Sequence, residues 1–396
     1  MKHSLIARLA TSTAIFVLLS FLLVPSLAAQ GEPERGGRFD PNSKRVVGPP
    51  TPRLREGTPN LGRIEIGKGA WLPGQVEYYS EVLVDPPKAQ GLPYQPWAKA
   101  LATYRDKVTN SREDPQGFCI PPGGPRIHTT MFPMEMIQLP EQQRIVQILE
   151  GGAHVWREIY MDGRPHPTEA LENYPLFLGH SVGHWEGYVL VVDTVGFNEG
   201  TWLDPGGDPH TNMMHLIEKY TRTDLNNLHY EATIDDPGAY TRPWTMALDL
   251  RWGPNSRIAE YICQENNRFQ ENYIKATKGA TGTGQAGANS GHGHPAKGIF
   301  IGEWGATANN QDSLVVSMDW NGKAITGIIN GGPDGASITK AELNPADWTL
   351  HIEAEGKGTK YVLDGKFENL TWLGRSIVGT YTRGDQKGTF KLTRQY

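Results

Sequence analysis

Seven side chains that could perform acid–base chemistry or hold a polar ligand stand in or beside two predicted connections, residues 196–212 and 236–243. They are Asp204, Asp208, His210, Asp235, Asp236, Tyr240 and Arg242. Carboxylates close to a histidine and an arginine are the groups that general acid–base catalysis, or a cradle for a polar ligand, requires. The alternative is a simple turn at Asp235-Asp236-Pro237-Gly238, with the carboxylates accepting hydrogen bonds from backbone amides.

Histidines are concentrated in the middle of the chain, which raises the question of a metal site. Eight of the twelve lie between residues 128 and 229. His180 and His184 are four residues apart, but Gly179, Gly183 and the strand predicted after them argue against a helix that would place both on one face. No third ligand is marked by its spacing. The two histidines are therefore weak metal candidates beside the alternative of hydrogen-bonded histidines, and no cofactor is identified.

The segment Gly179-His180-Ser181-Val182-Gly183 has the letters of an esterase nucleophile elbow. Such an elbow needs a helix after the serine, whereas the residues from Trp185 onward predict a strand. Ser181 is therefore interpreted as a turn residue. No glycine-rich loop precedes a helix in the way that phosphate binding requires, so nucleotide chemistry is disfavoured.

The spacing of apolar residues predicts a mainly β protein. Pro96 followed by good helix formers predicts one short helix over 97–105. From residue 131 the apolar period is two, and strands are predicted at 131–138, 144–150, 154–161, 185–195, 213–223, 228–235, 244–252 and 257–263. Eight more are predicted at 299–307, 312–320, 323–330, 337–343, 348–355, 359–368, 376–383 and 388–394. We therefore expect two antiparallel β-barrels or barrel-like domains, with the helix before the first.

Short connections rich in turn residues predict that consecutive strands pair as meanders. Alternate connections of a meander lie at the same end, so the two connections that carry the seven polar residues are expected to meet. A second polar set lies on the strands, with Glu218, Tyr220 and Arg222 on one face and His229, Glu231 and Thr233 on a face of the next. If these faces point inward, their charges must pair or bind a ligand. The outward orientation is favoured, because Ile217, Leu228, Tyr230 and Ile234 would line a core well.

The first residues have the order of an export signal. Lys2, His3 and Arg8 precede an apolar run to Val24, and the small-residue site Ser26-Leu27-Ala28 follows. We predict a signal peptide at 1–28, a periplasmic or extracellular location, and no membrane insertion after its removal. An extended, proline-rich segment is expected over 29–92, the first barrel over 93–275, a glycine-rich linker over 276–298 and the second barrel over 299–396.

Two further features limit the partners. Cys119 and Cys263 are the two cysteines of the chain, and in an oxidising compartment they are expected to form one disulfide, with two separate thiols as the alternative. The net charge of −5 gives no electrostatic reason to expect nucleic acid or an anionic membrane as partner.

Two resemblances cover most of the chain. Gly302-Glu303-Trp304 on the first strand of the second barrel, with Arg394 on the last, resembles the calycin pattern of lipocalins and their relatives. That resemblance covers about 299–396 and implies a lipocalin-like barrel in which Trp304 packs against Arg394 and closes one end.

The second resemblance covers about 93–275 and is to a group of secreted bacterial proteins of unassigned function. It is carried by blocks that begin at Pro93, Cys119, Ile159, Gly179 and Asp236. Tyr188 departs from the aspartate usual in that group, which puts in doubt any role for an acid there. The resemblance implies no reaction.

Two functions from different classes follow. The first is an exported protein that binds a small, partly apolar ligand in a β-barrel, with aromatic residues near its mouth: Trp185, Trp202, Tyr240 and Trp244. The second is a secreted hydrolase or lyase that uses the Asp/His/Arg cluster. The partner expected in either case is a small molecule.

Overall fold

A computed structural model describes residues 44–64, 68–74, 76, 78–109, 112–151, 155–265, 293–305, 313–331, 335–371 and 374–395. The signal peptide predicted at 1–28 and the predicted linker as far as residue 292 lie outside the described residues. Two α-helices are present in the described part, α1 (Pro96–Lys107), which confirms the predicted helix, and α2 (Thr168–Asn173). Short 3₁₀ turns occur at Tyr79–Glu81, Lys88–Gln90, Pro115–Phe118, Gly124–His128 and Pro140–Gln142.

The strands of the described part form two closed barrels. The first contains β1 (Ala70–Leu72), β2 (Leu83–Asp85), β3 (Met134–Leu139), β4 (Arg144–Leu149), β5 (Trp156–Tyr160), β6 (His180–Glu186), β7 (Val189–Val195), β8 (His215–Asp224), β9 (Asn227–Asp235) and β10 (Trp244–Gly253). The second contains β11 (Gly298–Trp304), β12 (Ser313–Trp320), β13 (Ile325–Ile329), β14 (Ala336–Asn344), β15 (Thr349–Gly356), β16 (Thr359–Asn369), β17 (Ser376–Arg383) and β18 (Gln386–Arg394). The predicted mainly β fold with two barrels is confirmed.

The second barrel is a closed meander. Its eight strands pair in chain order and β18 returns to β11, with each pair antiparallel. All eight strands predicted for this region are present. Alternate side chains such as Phe300, Val316, Ile352 and Leu392 are buried in one core, as the period of two requires.

The Trp304–Arg394 contact implied by the calycin pattern is not formed. Trp304 is paired with Phe390 and Arg394 with Phe300, so the two side chains lie at opposite ends of β11. Arg394 Nε donates to the carbonyl of Lys297 at 3.0 Å. Trp304 packs instead against residues of β17, with the Tyr381 ring at 4.6 Å and the Arg383 guanidinium at 5.6 Å.

The first barrel closes through nine strands, in the order β1-β3-β4-β5-β6-β7-β8-β9-β10 and back to β1, while β2 pairs with β10 next to β1. The expectation that residues 29–92 are merely extended is wrong for their described part. β1 pairs with both β3 and β10, and Leu61, Trp71 and Tyr79 are fully buried. A barrel needs a strand at every edge to satisfy its backbone hydrogen bonds, and this segment supplies it.

Three details of the predicted first barrel are wrong. The strand predicted at 185–195 is the hairpin β6–β7, because Gly187 takes a positive φ of 61° and allows a tight turn. Residues 257–263 form no strand. β5 and β6 are parallel rather than antiparallel, since the connection at 161–179, which contains α2, crosses back before β6 begins.

The two barrels meet at a joint formed by aromatic side chains. The ring of His294 stacks on Trp320 at 4.3 Å and meets Trp97 edge-on at 4.8 Å. Both tryptophans donate their Nε1–H to the carbonyl of Gly238, at 3.0 Å from Trp97 and 2.9 Å from Trp320. The described end of the predicted flexible linker, residues 293–298, is therefore packed between the barrels.

The predicted disulfide is confirmed. Cys119 and Cys263 are bonded, with their Cα atoms 5.6 Å apart, and the bond spans 144 residues of the chain. A cross-link over such a distance restricts the unfolded chain and stabilises the fold by up to about 5 kcal/mol. Within the part of the chain that the structure describes, no helix has the length and apolar character to span a membrane.

Candidate functional site

The two connections predicted to meet do meet, but the side chains that they bring together are buried. Asp204, Asp208, His210, Asp236 and Tyr240 are each at most 6 % exposed. One oxygen of Asp236 accepts from the backbone N–H of Thr211 and the other from its hydroxyl, both at 2.6 Å, and the N–H of Gly238 adds a bond at 3.0 Å. The Asp236 carboxylate thus ties the second connection to the first.

The remaining members of this cluster are also satisfied internally. Tyr94 donates to Asp208, and the hydroxyl of Tyr240 donates to the carbonyl of Pro209 at 3.0 Å. Burial, reinforced by neighbouring Asp204, holds the pKa of Asp208 well above its usual range. Burial lowers the pKa of His210 to about 4, so this ring is neutral and bonds to the Thr201 hydroxyl at 2.8 Å. His210 is therefore not displayed to solvent as its loop position suggested.

Asp235 and Arg242 do not belong to this buried cluster. Both are exposed, and Arg242 pairs with Asp85 of β2 at 3.0 Å. The seven predicted residues are therefore a buried scaffold of five and two separate surface positions. The alternative interpretation of this region as a turn that caps backbone amides describes Asp236 better than a ligand cradle does.

The polar strand residues face inward on β8 and outward on β9, so the outward orientation expected for both is wrong for β8. Glu218 is fully buried and accepts two bonds from Arg157, at 2.7 and 3.2 Å. The hydroxyls of Tyr220 and Tyr230 donate to the same carboxylate at 2.8 and 2.9 Å. Burial acts to raise the pKa of Glu218, but the charge and hydrogen bonds of the Arg157 guanidinium, together with His128, prevail and lower it to about 2.

Of the aromatic residues expected near a barrel mouth, three belong to the core. Trp202, Tyr240 and Trp244 are essentially without solvent contact. Trp185 alone of the four lines a surface depression, of about 220 Å³, beside Arg144 and Met161.

The weak metal candidates His180 and His184 lie apart. His184 is exposed and bonds to Glu186 at 3.1 Å, whereas His180 bonds to His166. Among the described residues, no group of three or more His, Cys, Asp or Glu side chains has the arrangement to hold a metal ion.

His180 is the first member of a hydrogen-bonded series on the outer surface of the first barrel, which we name the histidine–aspartate chain. Its Nδ1 lies 2.8 Å from Nδ1 of His166, and Nε2 of His166 lies 3.2 Å from Oδ1 of Asp193. Nε2 of His215 lies 2.8 Å from the same carboxylate oxygen. The parallel crossover between β5 and β6 carries His166 over His180, which is why a meander did not predict this arrangement.

Next to this chain is a groove of about 370 Å³ between β5 and the residues that lead into β6, named here the β5–β6 groove. Aromatic and aliphatic side chains dominate its lining: Trp156, Tyr160, Leu176, Phe177, Leu178 and Val155. His180 also lines it, stacked on Tyr160 at 5.1 Å. Trp156 is 62 % exposed and Leu176 46 %, so large apolar surfaces face solvent at its rim.

Within this site, sequence analysis identified only His180. It missed the aromatic residues of the groove and the partners His166, Asp193 and His215. Trp156 and Tyr160 lie four residues apart on β5, so their side chains share one face of the strand. Side chains that face a protein core show the same spacing. Only the observation that this face is exposed separates the two interpretations.

Comparisons with known proteins add no function. No protein-family model matches the chain, and no curated protein is significantly similar to it. A solved structure of a protein of unknown function from the DUF3598 family of Nostoc punctiforme aligns with 67 % of this chain and 87 % of its own, at 10 % identity and a TM-score of 0.16. That likeness carries no argument. The resemblances to calycins and to secreted bacterial proteins stay predictions.

Proposed function

We propose that this protein binds a small, partly apolar molecule in the β5–β6 groove. The observation that carries the proposal is the exposure of Trp156 and Leu176 at the rim of a concave surface that also contains His180. Small-molecule sites are typically concave and mostly apolar, with a few polar groups that orient the ligand. Exposed apolar side chains that adjoin one another at a depression mark such sites more often than isolated ones do.

Side chains fill the described interiors of both barrels, which favours a ligand site on the outer surface. In the first barrel, the Arg157–Glu218 pair and its tyrosine partners are buried and occupy part of the interior. In the second, inward side chains such as Phe300 and Phe367 pack against each other at 6.4 Å. We accordingly place the ligand of this β-barrel protein in the surface groove.

The alternative hydrolase or lyase at the Asp/His/Arg cluster has less support. A catalytic group must reach its substrate, and His210 and Asp236 are at most 1 % exposed. We further propose that the protein works outside the cytoplasm, because its disulfide fits an oxidising compartment.

The test begins with native mass spectrometry of the purified protein and a thermal-shift screen of lipids, sugars and aromatic compounds. For a compound that binds, Trp156→Ala is expected to weaken affinity at least tenfold, since it removes the largest apolar wall of the groove. Tyr188→Ala is the matched control, because Tyr188 is also 62 % exposed but lies at the β6–β7 turn. Equal affinity of the wild type and Trp156→Ala would exclude the groove.

A further inference from the structure

We propose that the β5–β6 groove selects an uncharged aromatic ligand that carries a hydroxyl group, a phenol, and that Nε2 of His180 accepts the hydroxyl proton in a hydrogen bond. This inference rests on the proposed function and adds the chemical class of the ligand. It follows from the order in which protons must be placed along the histidine–aspartate chain.

Asp193 fixes the first hydrogen positions in the histidine–aspartate chain. A carboxylate has only acceptors, so the Nε2 atoms of His166 and His215 that lie within hydrogen-bond distance of Asp193 must both carry hydrogen. A neutral imidazole has one N–H, and therefore Nδ1 of His166 is an acceptor. The donor in the 2.8 Å contact between the two Nδ1 atoms is then His180.

With hydrogen on Nδ1, a neutral His180 presents an unprotonated Nε2, for which the described residues provide no hydrogen-bond partner. Burial, with His166 and Arg164 nearby, lowers the pKa of His180 and so favours this neutral form. Nε2 of His180, a residue that lines the groove, is thus an acceptor.

An acceptor between aromatic walls selects a particular kind of molecule. Trp156 and Phe177 offer apolar surface to a planar ring, while Tyr160 is covered by the stacked His180 ring and by the Arg164 guanidinium. An O–H on that ring would satisfy Nε2, whereas a methyl ether of the same shape would leave the nitrogen desolvated without a partner. Once the bound ring excludes water from Nε2, discrimination by this hydrogen-bonding group exceeds that from apolar contact alone.

The experiment compares two probes of similar shape, 2-naphthol and 2-methoxynaphthalene, by fluorescence titration at pH 7.5. The wild-type protein is expected to bind the naphthol at least tenfold more tightly than the ether. His180→Phe is expected to remove this preference while it still binds the ether, because a ring remains against Tyr160. His184→Gln, on the same strand and exposed, is the matched control and is expected to keep the wild-type ratio.

Asp193→Leu tests the chain itself. It removes the oxygen that accepts from Nε2 of His166, so His166 can carry its hydrogen on Nδ1 and donate to His180, whose own hydrogen then lies on Nε2. The naphthol preference is then expected to fall at least tenfold, although Asp193 is not among the residues that line the groove. Nitrogen-15 NMR gives an independent measure, since the proposal requires the Nδ1–H tautomer of His180 in the wild type.

The outcomes separate the two proposals. If both probes bind equally and Trp156→Ala weakens both, the groove binds ligands but the selection by His180 is wrong. If neither probe binds and the ligand screen gives no compound sensitive to Trp156→Ala, the proposed function itself fails. An Nε2–H tautomer of His180, or a wild-type ratio in Asp193→Leu, overturns the role assigned to the histidine–aspartate chain.

Discussion

The two domains are both closed β-barrels, but they differ in strand order and in what fills their interiors. The second barrel is lined by apolar side chains, and its strands follow one another around the ring. The first barrel contains the buried Arg157–Glu218 ion pair, a parallel pair between β5 and β6, and a closing strand from far upstream in the chain. The comparison shows that a period of two specifies the faces of a strand without specifying which face is inside.

The reason is energetic. An isolated charge inside a protein is strongly unfavourable, so a glutamate in a strand is normally interpreted as facing water. Glu218 faces inward because Arg157 and two tyrosine hydroxyls together satisfy its oxygens. Tyr220 lies on β8 itself and Tyr230 on the adjacent β9, but Arg157 lies on β5, 61 residues before Glu218. Only the closed barrel brings that guanidinium to the carboxylate.

The largest expected effect tests this difference between the interiors. Arg157→Ala leaves the Glu218 carboxylate buried without its cation, and we expect the free energy of unfolding to fall by about 3–5 kcal/mol. Urea denaturation measures it. Lys391→Ala is the control on the second barrel, where Lys391 pairs with Glu368 at 2.9 Å on the surface, and it should cost less than about 1 kcal/mol. Equal losses of unfolding free energy in the two variants would show that the interior ion pair stabilises the fold no more than the surface pair does.

A second prediction concerns the joint between the barrels and its response to acid. Burial lowers the pKa of His294 to about 3, whereas a histidine in the unfolded chain has a pKa of about 6.5. Below about pH 6.5 the unfolded state binds the proton and the folded state does not. The contribution of His294 to the free energy of unfolding is therefore largest above this pH and declines as the pH falls. Between pH 7 and 5, the wild type should lose about 2 kcal/mol more than His294→Phe.

The difference between wild type and His294→Phe isolates this one group. His210 has a lowered pKa and adds the same sign, while burial raises the pKa of Asp236 to about 7 and contributes the opposite sign. Both contributions cancel when the two proteins are compared. His351→Gln is the control, because hydrogen bonding to Asp364 raises the pKa of His351. Parallel pH curves for wild type and His294→Phe would show that the joint does not respond to acid.

The smallest expected effect concerns a single bond across the joint. Trp320→Phe removes the N–H that donates to Gly238, but the carbonyl keeps its bond from Trp97. Because no group is left unsatisfied, we expect a loss of only about 1 kcal/mol. Trp156→Phe, an exposed position away from the joint, should change stability by less than about 0.5 kcal/mol. If Trp320→Phe separates the unfolding transitions of the barrels, this bond couples them more strongly than its net strength indicates.

Sequence reasoning located the candidate chemistry only in part. It predicted that the connections with Asp204, Asp208, His210, Asp236 and Tyr240 meet, because alternate turns of a meander share an end. It did not predict that the meeting would bury them. Prolines and glycines in a loop indicate an irregular backbone, and they carry no information on what packs over it, here Tyr94 and the neighbouring loop.

The sequence by itself determined the β class, helix α1, the strands of the second barrel and the disulfide, because each depends on local periodicity, turn residues or the presence of two cysteines. The tertiary structure alone decided the inward orientation of Glu218, the closure by β1 and the union of His166, His180 and Asp193. Each of these depends on pairings between distant segments, whose stability comes from how the barrel packs and closes. The local pattern of apolar and polar residues in the sequence is the same whether or not such a pairing forms.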